Sequence, residues 1–213
     1  MRVRVKICGI TRLEDALSAV RAGADAVGFV FHRTSPRNVS PEKAGEIARE
    51  LPPFVDRVGV FVDAPRSWVY EVSELARLSV LQFHGRELPE YCADWPLPVV
   101  KAFRTGPVFS PADLGAFRGV AAVLLDGYHP AAPGGTGARC DWEMARRVAR
   151  EHRVILAGGL TPENVAEAIR AVRPYAVDVS SGVEVEPGIK DPDRIAAFVR
   201  AVQLVGEELS GGP

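Results

Sequence analysis

The segment Val154-Ile155-Leu156-Ala157-Gly158-Gly159 is an apolar run that ends in a glycine turn, and it decides the fold. A second run of the same kind, Ala176-Val177-Asp178-Val179-Ser180-Ser181-Gly182, follows after one helical segment. Turns of this kind leave backbone N–H groups free to bind a phosphate. Two of them in succession, late in a chain of alternating strands and helices, are typical of the loops after strands 7 and 8 of a (β/α)8 barrel. We therefore predict a single-domain α/β chain, a (β/α)8 TIM barrel that binds a phosphorylated ligand.

Length and composition fit one such barrel and disfavour several other classes of protein. The chain has 213 residues, of which 47% are hydrophobic, an ordinary share for a globular domain. A formal net charge of −1 gives no reason to expect nucleic acid or an anionic membrane as a partner. No apolar run is long enough to cross a bilayer, and the three scattered cysteines indicate a reducing compartment. The expectation is a cytoplasmic enzyme.

Eight short β-rich runs recur about every 20 to 30 residues, which is the period of βα units. Several are apolar almost throughout, as expected of parallel strands that are covered on both faces. A doubly wound open sheet is the alternative fold, but eight strands suit closure and no G-x-G-x-x-G sequence follows the first of them. The predicted strands are Val3–Ile7, Ala26–Phe31, Arg57–Val62, Val80–Phe83, Val99–Phe103, Ala121–Leu125, Arg153–Ala157 and Ala176–Val179.

Capping residues predict where the helices begin. Thr11-Arg12-Leu13-Glu14 matches a capping box. Three further segments place a capping side chain before a proline at the first helical position: Ser40-Pro41, Thr161-Pro162 and Asp191-Pro192.

Two parts of the chain are predicted to depart from regular helix. After the fifth strand, Gly115 and Gly119 leave room for one or two turns, so we expect a short or degenerate fifth helix. We place the barrel at residues 1–205 and expect residues 206–213 to be a frayed C-terminal tail.

The C-terminal ends of the strands should carry the active site. One thiol, several carboxylates, imidazoles and cations around a phosphate site would suit acid–base chemistry on a phosphorylated small molecule. Lys6 alternates with apolar residues, so we expect it to point into the barrel and pair with a carboxylate such as Asp178. The polar residues at the strand ends are Cys8, His32, Arg33, Arg37, Asp63, Gln82, His84, Lys101, Arg104, Asp126, Asp178, Ser180 and Ser181.

Each candidate also has a purely structural interpretation. Cys8 would serve equally well as a small buried apolar residue. Asp126, which precedes a glycine, would suit a turn. His84 would suit a structural hydrogen bond, and Arg37 would suit a solvated loop.

A series of motifs, in order and at barrel spacing from residue 3 to about residue 200, resembles the phosphoribosylanthranilate isomerase family of tryptophan biosynthesis. The combination of the first motif with the Ser-Ser-Gly-Val-Glu motif is specific, whereas each motif alone is weak. Phe83 stands where the family often has another apolar residue. The motifs are Lys6-Ile7-Cys8-Gly9-Ile10-Thr11, Gly59-Val60-Phe61-Val62, Leu81-Gln82-Phe83-His84-Gly85, Leu125-Asp126, Gly134-Gly135-Thr136-Gly137, Leu156-Ala157-Gly158-Gly159-Leu160, Asp178-Val179-Ser180-Ser181-Gly182-Val183-Glu184 and Pro187-Gly188-Ile189-Lys190-Asp191.

The resemblance implies an Amadori rearrangement of an aminoaldose phosphate to an aminoketose phosphate, with no cofactor and no metal. It implies that Cys8 is the general base and Asp126 the general acid. Opening of the ribose ring requires a proton on the ring oxygen, and the isomerisation requires removal of the C2 proton. A protonated Asp126 and a Cys8 thiolate near neutral pH would supply both steps, so we predict a raised pKa for Asp126 and a lowered pKa for Cys8.

The same resemblance assigns the remaining candidates. Arg37 would bind the anthranilate carboxylate through a bidentate fork, with His84 and Asp178 as further substrate-binding residues. Backbone N–H groups of two loops would hold the phosphate, and a lid would close over the substrate to exclude water. The phosphate-binding residues are predicted to be Gly158, Gly159, Ser180, Ser181 and Gly182, and the lid residues Gly134, Gly135, Thr136 and Gly137.

Three other functions remain open from the sequence. Histidines and aspartates at strand ends would suit a metal-dependent phosphosugar epimerase, although the chain lacks a tight His-x-Asp pair. A non-catalytic phosphometabolite-binding barrel would retain the glycine turns, but it would not require both Cys8 and Asp126. A sister barrel such as indole-glycerol-phosphate synthase would use a lysine and glutamates. The sequence also leaves open whether the chain forms a homodimer, for which Phe54, after two prolines, would suit the interface.

Overall fold

The structure, a computed structural model, describes residues 2–106, 109–127 and 140–211. Eight parallel strands pair in sequence order, and β8 pairs with β1, so the sheet closes into a barrel. Both ends of every strand lie within one residue of the prediction, which confirms the (β/α)8 fold. The strands are β1 (Arg4–Cys8), β2 (Ala26–Val30), β3 (Asp56–Phe61), β4 (Val80–Phe83), β5 (Val99–Arg104), β6 (Ala122–Asp126), β7 (Val154–Leu156) and β8 (Ala176–Val179).

Helices connect the strands and cover the outside of the barrel. A 3-10 helix, Pro111–Ala116, lies between β5 and β6, and a second one, Ser181–Val183, follows β8. The α-helices in the described part of the chain are α1 (Leu13–Ala22), α2 (Pro41–Glu50), α3 (Arg66–Leu75), α4 (Pro89–Cys92), α5 (Trp142–Val148), α6 (Val165–Val172) and α7 (Pro192–Glu208).

Strand alternation divides the buried side chains into two layers. One strand face packs beneath the helices, with Ile7, Phe29 and Val123 in the larger apolar cluster. The other face points to the barrel axis, where residues such as Ala102 and Leu124 form a smaller cluster. Because side chains alternate along a strand, the residue type at a strand end does not decide which layer that residue joins.

Two of the four predicted helix starts are confirmed. Ser40 accepts a hydrogen bond from the Lys43 N–H at the start of α2, and the Asp191 side chain accepts two at the start of α7. Proline occupies the first helical position in both cases, so its missing N–H costs no helical hydrogen bond.

At the other two predicted starts the capping interaction is wrong. Thr11 does not cap α1, because its hydroxyl donates to the Gly188 carbonyl, 2.5 Å away and far along the chain. Helix α6 begins at Val165 rather than at Thr161-Pro162, since Asn164 takes the capping position and its side chain accepts from the Thr161 N–H at 2.8 Å. The Thr11 hydroxyl is engaged far along the chain, and Asn164 closes a turn that precedes α6 without capping it.

The short fifth helix is confirmed by the single 3-10 segment Pro111–Ala116, which Ser110 and Asp113 close with a reciprocal capping box. At the C-terminus, α7 continues to Glu208, so residues 206–208 of the predicted tail are helical. Val205 and Gly206 are buried there, which explains why the helix extends past the predicted boundary. No helix in the described ranges is long and apolar enough to cross a membrane.

A small antiparallel hairpin follows β8 and was not predicted from the sequence. It pairs β9 (Glu184–Glu186) with β10 (Ile189–Lys190), and Gly188 makes the turn at a φ of 86°. The hairpin carries its first and last residues, Glu184 and Lys190, back to the C-terminal rim of the barrel, where the candidate site lies.

Candidate active site

A cavity opens at the C-terminal rim of the barrel, where the ends of β1, β6, β7 and β8 meet. It brings together the thiol, the carboxylates and both glycine turns that the sequence singled out. His32, Ser35, Gln82 and Arg104 complete the polar lining. Of the predicted site residues, those that line the cavity are Cys8, Arg37, His84, Asp126, Gly158, Gly159, Asp178, Ser180 and Ser181.

Three of the polar residues at strand ends do not line this cavity: Arg33 is exposed, and Lys101 and Asp63 contact loops of the rim. Lys101 lies between the inward-facing Val100 and Ala102, so alternation directs it outward, where its ammonium contacts Glu87 at 2.9 Å. Asp63 accepts a hydrogen bond from the Arg86 N–H and holds a neighbouring loop. Both side chains therefore stabilise loops of the rim instead of facing a ligand.

Cys8 ends β1 and lies against a buried ion pair. Lys6, two residues earlier on the same face, donates to Asp178 on β8 at 2.9 Å, as predicted. Lys6 and Asp178 are direct neighbours in the β1–β8 register. Gly28 on β2 leaves the space that both Cys8 and Lys6 need, because a Cβ there would lie 2.9 Å from Cys8 Sγ and 3.1 Å from Lys6 Cε. The thiol and the ammonium therefore share one crowded position inside the barrel.

The predicted lowering of the Cys8 pKa is wrong for this structure. Burial raises the pKa of the Cys8 thiol, and the adjacent Lys6 ammonium opposes that effect without overcoming it. Cys8 is 8% exposed, so a thiolate there loses most of its hydration. Asp178 adds to the rise because its negative charge lies close by.

Asp126 ends β6, three strands away from β1 around the closed barrel. Its Oδ1 accepts a hydrogen bond from the Gly127 N–H at 2.9 Å, which is the turn contact that its sequence position also allowed. Its Oδ2 lies 3.3 Å from His84 Nε2, although the two atoms are not aligned for a hydrogen bond. His84 Nδ1 lies 3.1 Å from the amide nitrogen of Gln82. Asp126 therefore has both a structural contact and an imidazole beside it.

The first glycine turn has the geometry that phosphate binding needs. Gly158 and Gly159 have φ values of 82° and 63°, a left-handed conformation that side chains with a Cβ rarely adopt. Asn164 fixes the turn by donating to the Gly159 carbonyl at 2.8 Å. No acceptor for the N–H of Gly158 or Gly159 lies within the described residues, and both glycines line the cavity. This turn presents the backbone donors that an anion requires.

The second turn lies against the first. Ser180 and Ser181 line the cavity at the start of the 3-10 helix, where the first N–H groups have no partner within the helix. Gly182 is not part of the cavity lining; its role as a phosphate donor stays a prediction. The structure gives it a different role, since a Cβ at Gly182 would lie 1.9 Å from the Leu160 carbonyl oxygen.

Arg37 lines the cavity, but its fork is already engaged. Its Nε and Nη2 donate to the two carboxylate oxygens of Glu184 at 2.9 and 2.7 Å. No hydrogen bond from Arg37 Nη1 is found within the described ranges, so the outer edge of the guanidinium remains for a ligand. A bidentate contact with a substrate through the inner edge is not available in this arrangement.

Two further expectations concern ligands. The predicted lid residues Gly134, Gly135, Thr136 and Gly137 lie outside the described residues. Within the described ranges, no group of three His, Cys, Asp or Glu side chains is arranged to hold a metal ion.

Comparisons with known proteins decide the family. The sequence profile described as "N-(5'phosphoribosyl)anthranilate (PRA) isomerase" matches residues 5–201. The N-(5'-phosphoribosyl)anthranilate isomerase of Trichlorobacter lovleyi is 53% identical over 199 residues, which cover 93% of this chain and 97% of that protein. The chain belongs to the N-(5'-phosphoribosyl)anthranilate isomerase family.

Two solved structures of the isomerase family match almost the whole chain. One is a phosphoribosyl anthranilate isomerase in complex with reduced 1-(o-carboxyphenylamino)-1-deoxyribulose 5-phosphate, with 44% identity, a TM-score of 0.82 and coverage of 94% of this chain and 98% of that one. The other contains monomers generated from the dimeric enzyme of Thermotoga maritima, with 43% identity, a TM-score of 0.80 and the same coverage.

Sequence reasoning assigned no role to Glu184 and Lys190 of this family member, although both lie in motifs that carry the resemblance. Glu184 is the partner of Arg37, and Lys190 Nζ donates to Glu184 at 2.7 Å. The signal in the sequence was that Glu184 and Lys190, two charged residues, follow the second phosphate-binding turn closely. It was not interpretable without the hairpin, which places the two side chains on the same buried rim.

Proposed function

We propose that this chain converts N-(5'-phosphoribosyl)anthranilate into 1-(2-carboxyphenylamino)-1-deoxyribulose 5-phosphate, with Asp126 as general acid and Cys8 as general base. This makes it an isomerase of the aldose–ketose class. The observation that carries the proposal is one cavity lined by both residues and by both glycine turns. Because β1 and β6 lie three strands apart around the barrel, the two groups approach a bound sugar from different sides.

The first chemical step opens the ribose ring. A protonated Asp126 delivers its proton to the ring oxygen while the bond between C1 and that oxygen breaks. The lone pair of the anthranilate nitrogen forms the C1–N double bond, so the open sugar is a protonated Schiff base. His84 Nε2, 3.3 Å from Asp126 Oδ2, is close enough to stabilise the negative charge that the carboxylate acquires.

The second step moves the double bond. The Cys8 thiolate removes the C2 proton, and the electrons of that bond form the C1–C2 double bond while the nitrogen regains its lone pair. The resulting enol loses its hydroxyl proton and gains a proton at C1, which gives the aminoketose. Atoms and electrons balance without a redox partner, so the reaction requires no oxidant or reductant.

The environment of Cys8 sets the condition for this step. Burial raises the pKa of the thiol and so favours its neutral form in the free protein. Lys6 is the cation that favours the thiolate, and it is held in place by Asp178. We therefore assign Asp178 to supporting Lys6 rather than to direct contact with the substrate.

The two ends of the substrate are bound at different groups of the rim. The phosphate rests on the N–H groups of Gly158, Gly159 and Ser181, and the outer edge of Arg37 receives the anthranilate carboxylate. Positive charge at Arg37 and bare backbone donors at the glycine turn match these two anionic groups. We retain residues 134–137 as the proposed lid.

The decisive experiment follows the loss of anthranilate fluorescence as phosphoribosylanthranilate is consumed, with and without a chelator. We expect full activity in both conditions, and a loss of about 100-fold or more in kcat for Cys8→Ala and for Asp126→Asn. Cys92→Ala and Asp63→Asn are the matched controls, because these residues lie outside the cavity. Near wild-type turnover by either active-site variant would refute the assignment, and loss of activity with chelator would favour the metal-dependent epimerase.

We further propose that the chain acts as a cytoplasmic homodimer. Phe54 supports the dimer, since it is completely exposed in the loop between α2 and β3 and is held there at a φ of 70°. An exposed aromatic ring at a fixed loop tip suits burial against a second copy. All three cysteines are unpaired, which suits a reducing compartment. Sedimentation of the wild type and of Phe54→Ser tests the interface, and a monomeric wild type would refute it.

A further inference from the structure

Glu184 makes more contacts than an ordinary ion pair requires. Its carboxylate accepts from Arg37 Nε and Nη2, from Lys190 Nζ at 2.7 Å and from the Gly188 N–H at 3.2 Å. The side chain is 4% exposed. The chemistry of the isomerisation leaves this buried carboxylate without a role.

Lys190 connects the same carboxylate to the phosphate site. Its Nζ donates to the Ser180 carbonyl at 3.3 Å and to the Ser180 hydroxyl at 3.4 Å, and the side chain is fully buried. Ser180 opens the second phosphate-binding turn. A single carboxylate therefore contacts the guanidinium at one end of the proposed substrate and, through one lysine, the loop at the other end.

The charges of Arg37, Glu184 and Lys190 do not cancel. Arg37 and Lys190 carry two positive charges, and Glu184 carries one negative charge. Asp15 accepts from the Lys190 N–H at 3.1 Å, but its own charge is paired with Arg12 at 2.7 Å. Burial lowers the pKa of Lys190 although Glu184 opposes that effect, and the Arg37 charge adds to the lowering. An anionic group that enters the cavity beside Arg37 would neutralise the excess.

The stem of Arg37 is confined as well as its head group. It passes over Gly9, where a Cβ would lie 2.6 Å from Arg37 Cδ and 3.0 Å from the Ser180 hydroxyl. Gly9 has a φ of 78°, so the backbone conformation there also suits glycine. Glu184 on one side and Gly9 beneath restrict the guanidinium, and Arg37 lines the cavity with its Nη1 free of hydrogen bonds to the described residues.

We propose that Glu184 is a positioning residue that aims the outer edge of Arg37 at the carboxylate of the substrate and thereby selects arylamine sugars with an ortho carboxylate. Lys190 is the second positioning residue. Its ammonium binds the Glu184 carboxylate and also donates to Ser180, so it holds the phosphate-binding turn in place. This inference rests on the proposed function, because it takes the anthranilate carboxylate as the ligand of Arg37.

The test compares two ligands that differ in one group. The first is reduced 1-(o-carboxyphenylamino)-1-deoxyribulose 5-phosphate, and the second is the same compound without the carboxyl group. Titration calorimetry gives the two dissociation constants, and their ratio is the carboxylate selectivity. Glu184→Gln keeps one acceptor oxygen and replaces the other with an NH2 donor, so it cannot accept from both Arg37 Nε and Arg37 Nη2, and the guanidinium loses its two-point contact. We expect this variant to lose affinity for the first ligand by about 100-fold and for the second by less than threefold.

Lys190→Met should behave differently. We expect it to weaken inorganic phosphate and the second ligand, which Glu184→Gln leaves nearly unchanged, and to lower the carboxylate selectivity less than Glu184→Gln does. Glu186→Gln, an exposed change on the same hairpin, is the matched control and should change neither constant. In steady state, Glu184→Gln should raise KM for phosphoribosylanthranilate with kcat within threefold of the wild type.

Two results would overturn the inference. One is a Glu184→Gln variant that weakens both ligands equally, which would indicate a merely structural ion pair, and the other is a variant that changes neither. If circular dichroism shows that Glu184→Gln does not fold, Arg37→Lys replaces it, because lysine keeps the positive charge but lacks the two-pronged guanidinium. Unchanged carboxylate selectivity in Arg37→Lys would also overturn the inference. A wild type that binds the first ligand but does not turn over phosphoribosylanthranilate would refute the proposed function alone.

Discussion

Substitution of Gly182 by alanine tests whether the two glycine turns form one phosphate site. A Cβ at this position would lie 1.9 Å from the Leu160 carbonyl oxygen, whereas such contacts essentially never fall below 3.0 Å. One of the two loops must therefore move by about 1.1 Å. The φ of Gly182 is not in the left-handed region, so alanine is acceptable to the backbone and the effect arises from the contact alone.

The size of the effect follows from hydrogen-bond geometry. A donor at about 2.9 Å from a phosphate oxygen moves to about 4 Å when its loop shifts by this amount, and a hydrogen bond of that length is lost. A hydrogen bond to a charged group contributes about 1.5–3 kcal/mol, so the loss of one such bond lowers affinity by about 10- to 150-fold. We expect kcat/KM for phosphoribosylanthranilate and the affinity for inorganic phosphate to fall within that range.

The assay is the fluorescence-detected turnover, with calorimetric titration of phosphate as the binding measurement. Gly115→Ala is the matched control, because nothing lies within 4 Å of a Cβ there, and it should match the wild type in both. A Gly182→Ala variant with the wild-type kcat/KM and phosphate affinity would show that the phosphate is not held by the paired turns, and the reasoning from Leu160 would then be wrong.

Burial and charge lead to three more expected outcomes. On a background without the other cysteines, the rate of Cys8 alkylation by iodoacetamide should still increase above pH 9, because burial raises its pKa above the ordinary value of 9.0, and Lys6→Met should move the midpoint higher. Burial raises the pKa of Glu184, but Arg37 and Lys190 outweigh that effect and hold it below 4.5. The Glu184 carboxylate therefore stabilises the fold fully above pH 4.5, and this stabilisation is lost as pH falls through the folded-state pKa. In denaturant unfolding, the free energies of the wild type and of Glu184→Gln should converge in acid. Gly45→Ala should lower the free energy of unfolding by about 1–3 kcal/mol, because its Cβ would lie 2.3 Å from the Leu75 carbonyl, despite the higher helix propensity of alanine.

The strands and the phosphate turns could be predicted because each depends on local sequence. Parallel strands such as β6 and β8 are buried on both faces, so their apolar runs are visible without tertiary information. Gly158 and Gly159 adopt positive φ values that few other residues tolerate, so the turn is marked by residue type alone. Ser40 and Asp191 were identifiable as caps for the same reason, since each interacts within three residues of itself.

The failures have a different physical origin. The Thr11 hydroxyl satisfied a local motif, but it is used by Gly188, which is 177 residues away. The pKa of Cys8 depends on how completely the barrel excludes water, and no nearby residue in the sequence reports that burial. Local spacing identifies which groups are present, but not how strongly they are desolvated.

Alternation along the strands decides part of the site, and the hairpin decides the rest. Lys6 and Cys8 share an inward face, and the same parity places Ala102 inward and Lys101 outward. The sequence alone does not separate Lys101 from Lys6, since both stand between apolar residues, and the inward parity of β5 is known only from the closed sheet. No parity rule reaches Glu184, because it lies in a hairpin that folds back over the rim after β8 ends. The excess positive charge beside the cavity arises from that fold-back, so the feature that best matches the substrate carboxylate is a property of tertiary structure.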